Sequence, residues 1–219
     1  MVPAAITSYR VDYRSANVSP RYSGVIHFLF TSTVCLGIMA YAILHVSHVT
    51  GLQLLTVPIT FMYANLVEYL GHRGPMHRKT GFLSIIFERH ALQHHSFFTH
   101  DAMECESPRD YKMILFPPIM IVFFFGLFAV PIGFLIRYAL GANVALLFVT
   151  TSVGYFLNYE WLHWLYHQSP DSFFGRLPFI GGLRRHHFHH HNKMLMGRYN
   201  FNITYPICDR LLGTTYRQR

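Results

Sequence analysis

Histidine accounts for 16 of 219 residues, and most of these fall into four tight groups. They read His72-x4-His77, His90-x3-His94-His95, His163-x3-His167 and His187-x2-His190-His191. Neutral imidazole is the commonest protein ligand for a metal ion, and repeated short spacings gather several imidazoles at one point. The groups hold more imidazoles than one ion can use, so the reading is a site for two metal ions. His163 and His167, four apart, share one face of a helix. His187, His190 and His191, at i, i+3, i+4, also share a face, as do His90 and His94. His95 is turned about 100° from His94, which suits it to a second ion. His72 and His77, five apart, are too far round for one helical face. Gly74-Pro75 between them should break the helix and let His77 fold back towards His72.

The run His186-His187-Phe188-His189-His190-His191 leaves two registers open, because His187/His190/His191 and His186/His189/His190 both give H-x-x-H-H. A loose metal-scavenging tract would account for that run alone. It would not account for four groups at helix-compatible spacings. His27, His45 and His48 read as polar residues near a membrane surface. Other histidine chemistries fit less well. H-E-x-x-H is absent, which disfavours a zinc protease. Carboxylate di-iron bundles need two Glu-x-x-His motifs and two more glutamates; here only Glu160-x-x-His163 qualifies. Glu68 and Glu160 read as acceptors that fix imidazole tautomers, with ion pairs to Arg73 or a similar cation as the alternative.

The elements that position these residues are apolar. The chain is 52% hydrophobic and 13% charged, against about 25% charged in ordinary soluble domains. Mean hydropathy is +0.24. A helix crosses the ~30 Å hydrocarbon core with roughly 20 apolar residues. Four segments meet that need, at about 25–46, 52–70, 113–140 and 142–161, as two helical hairpins. Pro117-Pro118 belongs in the first turn of the third, and Pro131 is placed to kink it. The fold class expected is all-α: an integral membrane protein with a histidine-rich helical cap, 72–112 and 163–219, holding the two-metal site.

Charge orients it. Arg10, Arg14 and Arg21 precede the first span. Arg73, Arg78, Lys79, Arg89, Arg109 and Lys112 lie between the second and third. Eight further cations, Arg176 to Arg219, follow the fourth; only Arg137 falls near the opposite side. By the positive-inside rule both termini and every histidine group are cytoplasmic. This asymmetry explains the net charge of +8 better than nucleic-acid binding, for which no basic stripe is present. On that face Asn17-Val18-Ser19 and Asn202-Ile203-Thr204 are idle as glycosylation acceptors. Residues 1–20 carry no signal-peptide pattern. Cys35, Cys105 and Cys208 are too scattered for a disulfide framework or a cysteine zinc site. The halves also echo each other: a hairpin, a histidine pair at its exit, then a group ending in His-His.

These residues resemble the membrane fatty acid hydroxylase/sterol desaturase superfamily. Glu68-Tyr69-Leu70-Gly71-His72-Arg73 through His77 looks like its first motif. Gln93-His94-His95 with Leu115-Phe116-Pro117-Pro118 is similar to the segment joining the second motif to the third helix. Tyr159-Glu160-Trp161-Leu162-His163 with His167 resembles the third. The run 186–191 looks like the last, H-H-x-x-H-H in lipid 2-hydroxylases, which favours His187, His190 and His191. Asp209-Arg210-Leu211-Leu212-Gly213-Thr214 is similar to the closing W-D-x-x-x-G-T segment, with Cys208 where tryptophan is usual. One departure bears on which metal His90 reaches: three residues separate His90 from His94, where lipid 2-hydroxylases have two.

The resemblance implies two irons, or zinc as purified, held by His72, His77, His90, His94, His95, His163, His167, His187, His190 and His191. His100, His186 and His189 are then extra. It implies O2 as co-substrate, hydroxylation of an unactivated C–H of a lipid from the bilayer, and electrons from an external cytochrome b5, ferredoxin or rubredoxin type of donor with its reductase. No cytochrome b5 domain precedes the spans. A desaturase, or a hydroxylase of a sterol, carotenoid or alkyl natural product, is the alternative within the superfamily. A non-catalytic metal-binding or metal-transport protein is the alternative outside it, though a transporter should place polar ligands at mid-membrane. Phe123, Phe124 and Phe125 either face lipid or line an acyl path.

Overall fold

The computed structural model describes residues 2–217. Arg219, counted above among the cations, lies outside them. Among the described residues the protein is helical, and its one β feature is an isolated antiparallel bridge between Thr99 and Ala102. The main helices are α1 (Ala4–Asn17), α2 (Gly24–Leu44), α3 (Thr56–Gly71), α4 (Pro118–Phe124), α5 (Val130–Leu140), α6 (Ala142–Tyr166), α7 (Ile180–His190) and α8 (Ile207–Leu211). Two compact units divide the chain. One comprises Val25–Ala64 and Phe116–Glu160; the other comprises Met1–Gly24, Asn65–Leu115 and Trp161–Arg219.

The first unit is the apolar one. Cys35, Val153 and Leu157 are buried at its centre, packed by Ile38, Met39, Phe125, Val149 and Phe156. Phe124 rests on Phe116 and Phe156. Phe124 and Phe125 are thus half-buried by packing inside this unit. Outward, Leu44, Leu52, Ile59, Phe134, Leu135 and Tyr138 are largely exposed. A surface so apolar is disfavoured in water and at home in hydrocarbon.

Among the described residues, three stretches are long and apolar enough to cross a membrane: Gly24–Leu44, Gly51–Met76 and Pro108–Leu140. The expected fourth span, α6, has the length at 25 residues. It falls short in apolarity because it carries Asn143, Thr150, Thr151, Ser152 and Asn158. The third stretch is also not one helix from residue 113. Tyr111–Ile114 is a separate turn, the backbone is extended at Leu115 and Pro117, and α4 starts at Pro118. Proline disfavours helix at the residue before it and tolerates the first helical position. Pro131 follows a π-helical turn, Phe125–Ala129, which absorbs the break as a local widening.

Short polar contacts close the hairpin turns. Thr50 and Gln53 form a reciprocal capping box. The Asn143 amide donates to the Ser47 carbonyl (2.6 Å) and accepts from the Ser47 N–H (3.2 Å). Between α5 and α6, Gly141 takes φ 92°, a left-handed conformation natural to glycine after a helix.

The second unit holds the histidines. It contains α1, α7, α8, the ends of α3 and α6, and two π-helical turns, His72–Met76 and Glu88–His94. Its three-part makeup forces close approaches. A Cβ on Gly24 would lie 1.8 Å from the Pro108 carbonyl oxygen. Overpacking costs about 1–3 kcal/mol, so Gly24→Ala should lower the thermal unfolding midpoint of the detergent-solubilised protein. An unchanged midpoint would show that this approach is not a constraint.

Candidate metal centre

The inward-facing imidazoles form two groups of five. His72, His77, His90, His95 and His190 each bring one ring nitrogen within 4.8 Å of the others; His94, His163, His167, His187 and His191 do the same. Local helix geometry explains the sorting. In an α-helix, residues five apart point in different directions. A π-turn, closed by i→i+5 hydrogen bonds, returns them nearly to register. His72 and His77 flank one such turn, but there Gly74 (φ −88°, ψ −107°) breaks helical geometry and the His77 N–H bonds to Gly74 O, so the kink brings the two rings together. His90 and His95 span the other, with the His95 N–H donating to the His90 carbonyl. Both pairs enter the first group. The second group takes α-helical pairs four apart, His163/His167 on α6 and its C-terminal end, and His187/His191 on α7.

Sharing a face does not mean sharing a group. His90 and His94 stack at 5.3 Å as neighbours, yet His90 enters the first group and His94 the second. The three-residue gap between them is what the wider turn accommodates. His187, His190 and His191 are likewise divided: His190 reaches the first group, and His187 and His191 the second. Within the last run, His187, His190 and His191 face the groups and His186 and His189 do not. His186 faces Asp209 at 3.1 Å, and His189 packs on Tyr216. His100 pairs with Asp101 at the surface. His27 meets the Phe116 carbonyl, and His45 that of Tyr41.

Backbone carbonyls fix the rings. Nδ1 of His72 donates to Phe201 O (2.5 Å), His94 to Met113 O (2.7 Å), His167 to Met103 O (2.7 Å), His190 to Tyr199 O (3.2 Å) and His191 to Phe98 O (2.5 Å). A carbonyl only accepts, so each Nδ1 carries the proton and each neutral ring turns a bare Nε2 lone pair inward. His94 and His191 then face one another, Nε2 to Nε2, at 3.2 Å with neither able to donate. Protonation offers no escape. Burial holds His94 down to about 3 despite its bond to Met113, and burial with nearby His94 holds His191 well below its ordinary value. His90, His95, His187 and His190 are pushed the same way, again chiefly by burial. Converging lone pairs on rings kept neutral call for a cation among them. Five imidazole nitrogens per group fit a divalent transition metal.

Carboxylates hold the backbone behind the rings. Asp209 is fully buried and accepts from the N–H groups of Phe201 (2.9 Å) and Asn202 (2.7 Å), from the Thr214 hydroxyl (2.6 Å) and from His186. Burial pushes its carboxyl up, but these bonds together hold it below the usual range. Glu68 accepts from the N–H groups of Ile203 (2.5 Å) and Thr204 (2.9 Å) and from the Thr204 hydroxyl (2.6 Å). The two acids thus clamp the segment that presents the Tyr199 and Phe201 carbonyls to His190 and His72. Glu160 accepts from the Phe116 N–H at 3.2–3.3 Å. The imidazole acceptors described here are main-chain oxygens, which leave no mark in a sequence. The closing Asp209…Thr214 pattern was the one available signal for this clamp.

The fatty acid hydroxylase family model matches residues 57–214. No curated protein matches the chain. A solved structure described as "Full length scs7p (only hydroxylase domain visible)" superposes with a TM-score of 0.59 at 18% identity, covering 99% of this chain and 68% of that one. At that identity the likeness concerns the fold. The family match takes in all ten inward histidines together with Glu68, Glu160, Asp209 and Thr214, and the chain belongs to the fatty acid hydroxylase family.

Proposed function

We propose that this protein is a membrane-bound di-iron oxygenase that hydroxylates an unactivated C–H of a fatty acyl or related lipid, as one membrane domain over residues 1–219. The observation that carries this reading is the pairing of two five-imidazole groups with Nε2 lone pairs turned inward. His72, His77, His90, His95 and His190 would hold one ion; His94, His163, His167, His187 and His191 the other. When bound and reduced, such irons supply the activation of O2 needed to replace a C–H hydrogen by hydroxyl.

The residues do the rest. Phe98, Met103, Met113, Tyr199 and Phe201 hold a proton on Nδ1 of five rings, so that Nε2 stays free to bind. Burial keeps the imidazoles neutral and water scarce. Glu68 and Asp209 fix the carbonyls behind the first group; Glu160 fixes the start of the 116–118 segment. Apolar exposed helices suit a substrate that arrives from the bilayer. We place α6 as the fourth span and, from the charge asymmetry, the histidine unit on the cytoplasmic side, where an external electron donor would deliver reducing equivalents.

Lipid mass spectrometry of cells expressing wild type or His163→Ala tests the activity. A product heavier by one oxygen, present only with wild type, is expected. A product lighter by two hydrogens would indicate desaturation, and no change in any lipid class alongside protein-dependent metal uptake would sink the enzyme reading. The ligand division has its own check, by metal analysis of detergent-purified protein. His190→Ala and His191→Ala, though adjacent, should each weaken a different ion about tenfold or more. The double variant should then lose both ions. Retention of one tight ion by the double variant would place the two residues in a single group.

A further inference from the structure

Helix α1 lies before the residues matched by the family model, 57–214. It carries a cation where a cation is costly: Arg10 is only 1% exposed. A buried arginine persists when its donors are satisfied, and these are. Nε donates to Phe97 O (2.8 Å), Nη2 to Ala102 O (2.5 Å), and Nη1 to Glu104 O (3.2 Å) and the Glu106 carboxylate (2.8 Å). The guanidinium also sits over the rings of Phe97 and Phe98 at 5.1 and 5.3 Å. Arg14, one turn on, makes a bidentate pair with Asp110 (2.7 and 2.9 Å) and reaches Glu106 (2.6 Å).

The carbonyls Arg10 takes alternate with two that it does not. Phe98 O receives Nδ1–H of His191, and Met103 O receives Nδ1–H of His167. In extended backbone, such as that at Phe98 (φ −112°, ψ 103°), successive carbonyls point to opposite sides. Fixing Phe97 O towards Arg10 therefore turns Phe98 O away from it; further on, Ala102 O and Glu104 O go to Arg10 while Met103 O between them goes to His167. Both imidazoles belong to the second group. The first group leans on Tyr199 O and Phe201 O, which Arg10 does not touch.

We propose that Arg10 is a positioning residue for the second imidazole group: it orients the 97–104 segment so that Phe98 and Met103 hold His191 and His167 with Nε2 directed at the metal. The proposal rests on the two-metal reading above. Arginine suits the task because one rigid planar fork carries five donors, whereas a lysine ammonium offers three from a single point.

The test uses the full chain in detergent, stripped of metal and titrated with Zn(II) against a chelating dye. Imidazole binds zinc as well as iron, and zinc has no redox chemistry to confuse the readout. Wild type should take two tight equivalents. Arg10→Lys should keep one and weaken the other about 10–100-fold, the range for removing a group that orients a ligand. Arg14→Gln, on the same helix but away from these carbonyls, should lower the thermal midpoint and keep both equivalents tight. Two tight equivalents in Arg10→Lys would overturn the proposal. So would equal weakening of both, loss of the second equivalent in Arg14→Gln as well, or failure of Arg10→Lys to fold where Arg14→Gln folds. A wild type that does not take two equivalents would instead overturn the two-metal reading.

Discussion

The structure is organised around imidazoles that have been taken out of water with their lone pairs facing inward. A neutral histidine has one nitrogen that donates and one that accepts. Here the donor is spent on a backbone carbonyl for His72, His94, His167, His190 and His191. What remains is a cluster of acceptors at contacts of about 3 Å, as between His94 and His191 at 3.2 Å. Such a cluster repels itself until a cation joins it, so the polypeptide must hold it together by other means. Much of the histidine unit is legible as those means.

The holding is divided between the ends of the chain. Behind the first group, Asp209 and Glu68 grip the 201–204 segment through main-chain N–H groups, and Thr214 closes onto Asp209. Behind the second, the 97–104 segment is gripped from the far side by Arg10 on α1. In both cases an ionised side chain is satisfied largely by backbone groups, with Glu106 added for Arg10. That arrangement spreads the charge over several short bonds and ties the orientation of neighbouring peptides to it. Rigid backing of this kind is what metal-binding imidazoles require, since small rotations of a ring carry its lone pair off target.

Backbone irregularity serves the same end. The two π-turns lie where histidine spacing departs from a helical repeat, at His72–Met76 and Glu88–His94. The second converts a five-residue spacing into a shared direction; at the first the kink at Gly74 does so. The apolar unit shows a third π-turn at Phe125–Ala129, ahead of Pro131, where its cause is the missing proline N–H. The same local geometry thus answers a packing need in one unit and a side-chain aiming need in the other.

Residue type and spacing were enough to identify the ten histidines, the apolar character of the helices, the turn at Gly141 and the family. These follow from short-range physics: proline and glycine act on their neighbours, and apolar runs of span length have few alternatives to a bilayer. Spacing failed where it assumed an α-helical repeat. It put His90 with His94 and kept His187, His190 and His191 together, and only the folded chain separated them. It gave no sign of the bonds of Glu68 to residues 202–204, more than 130 positions away. It read Arg10 as a topology charge, whereas its carbonyl partners are about 90 residues distant. Backbone carbonyls are present at every position and carry no signature in sequence. Which of them meets an imidazole, and which cation turns it there, is decided by tertiary contact alone.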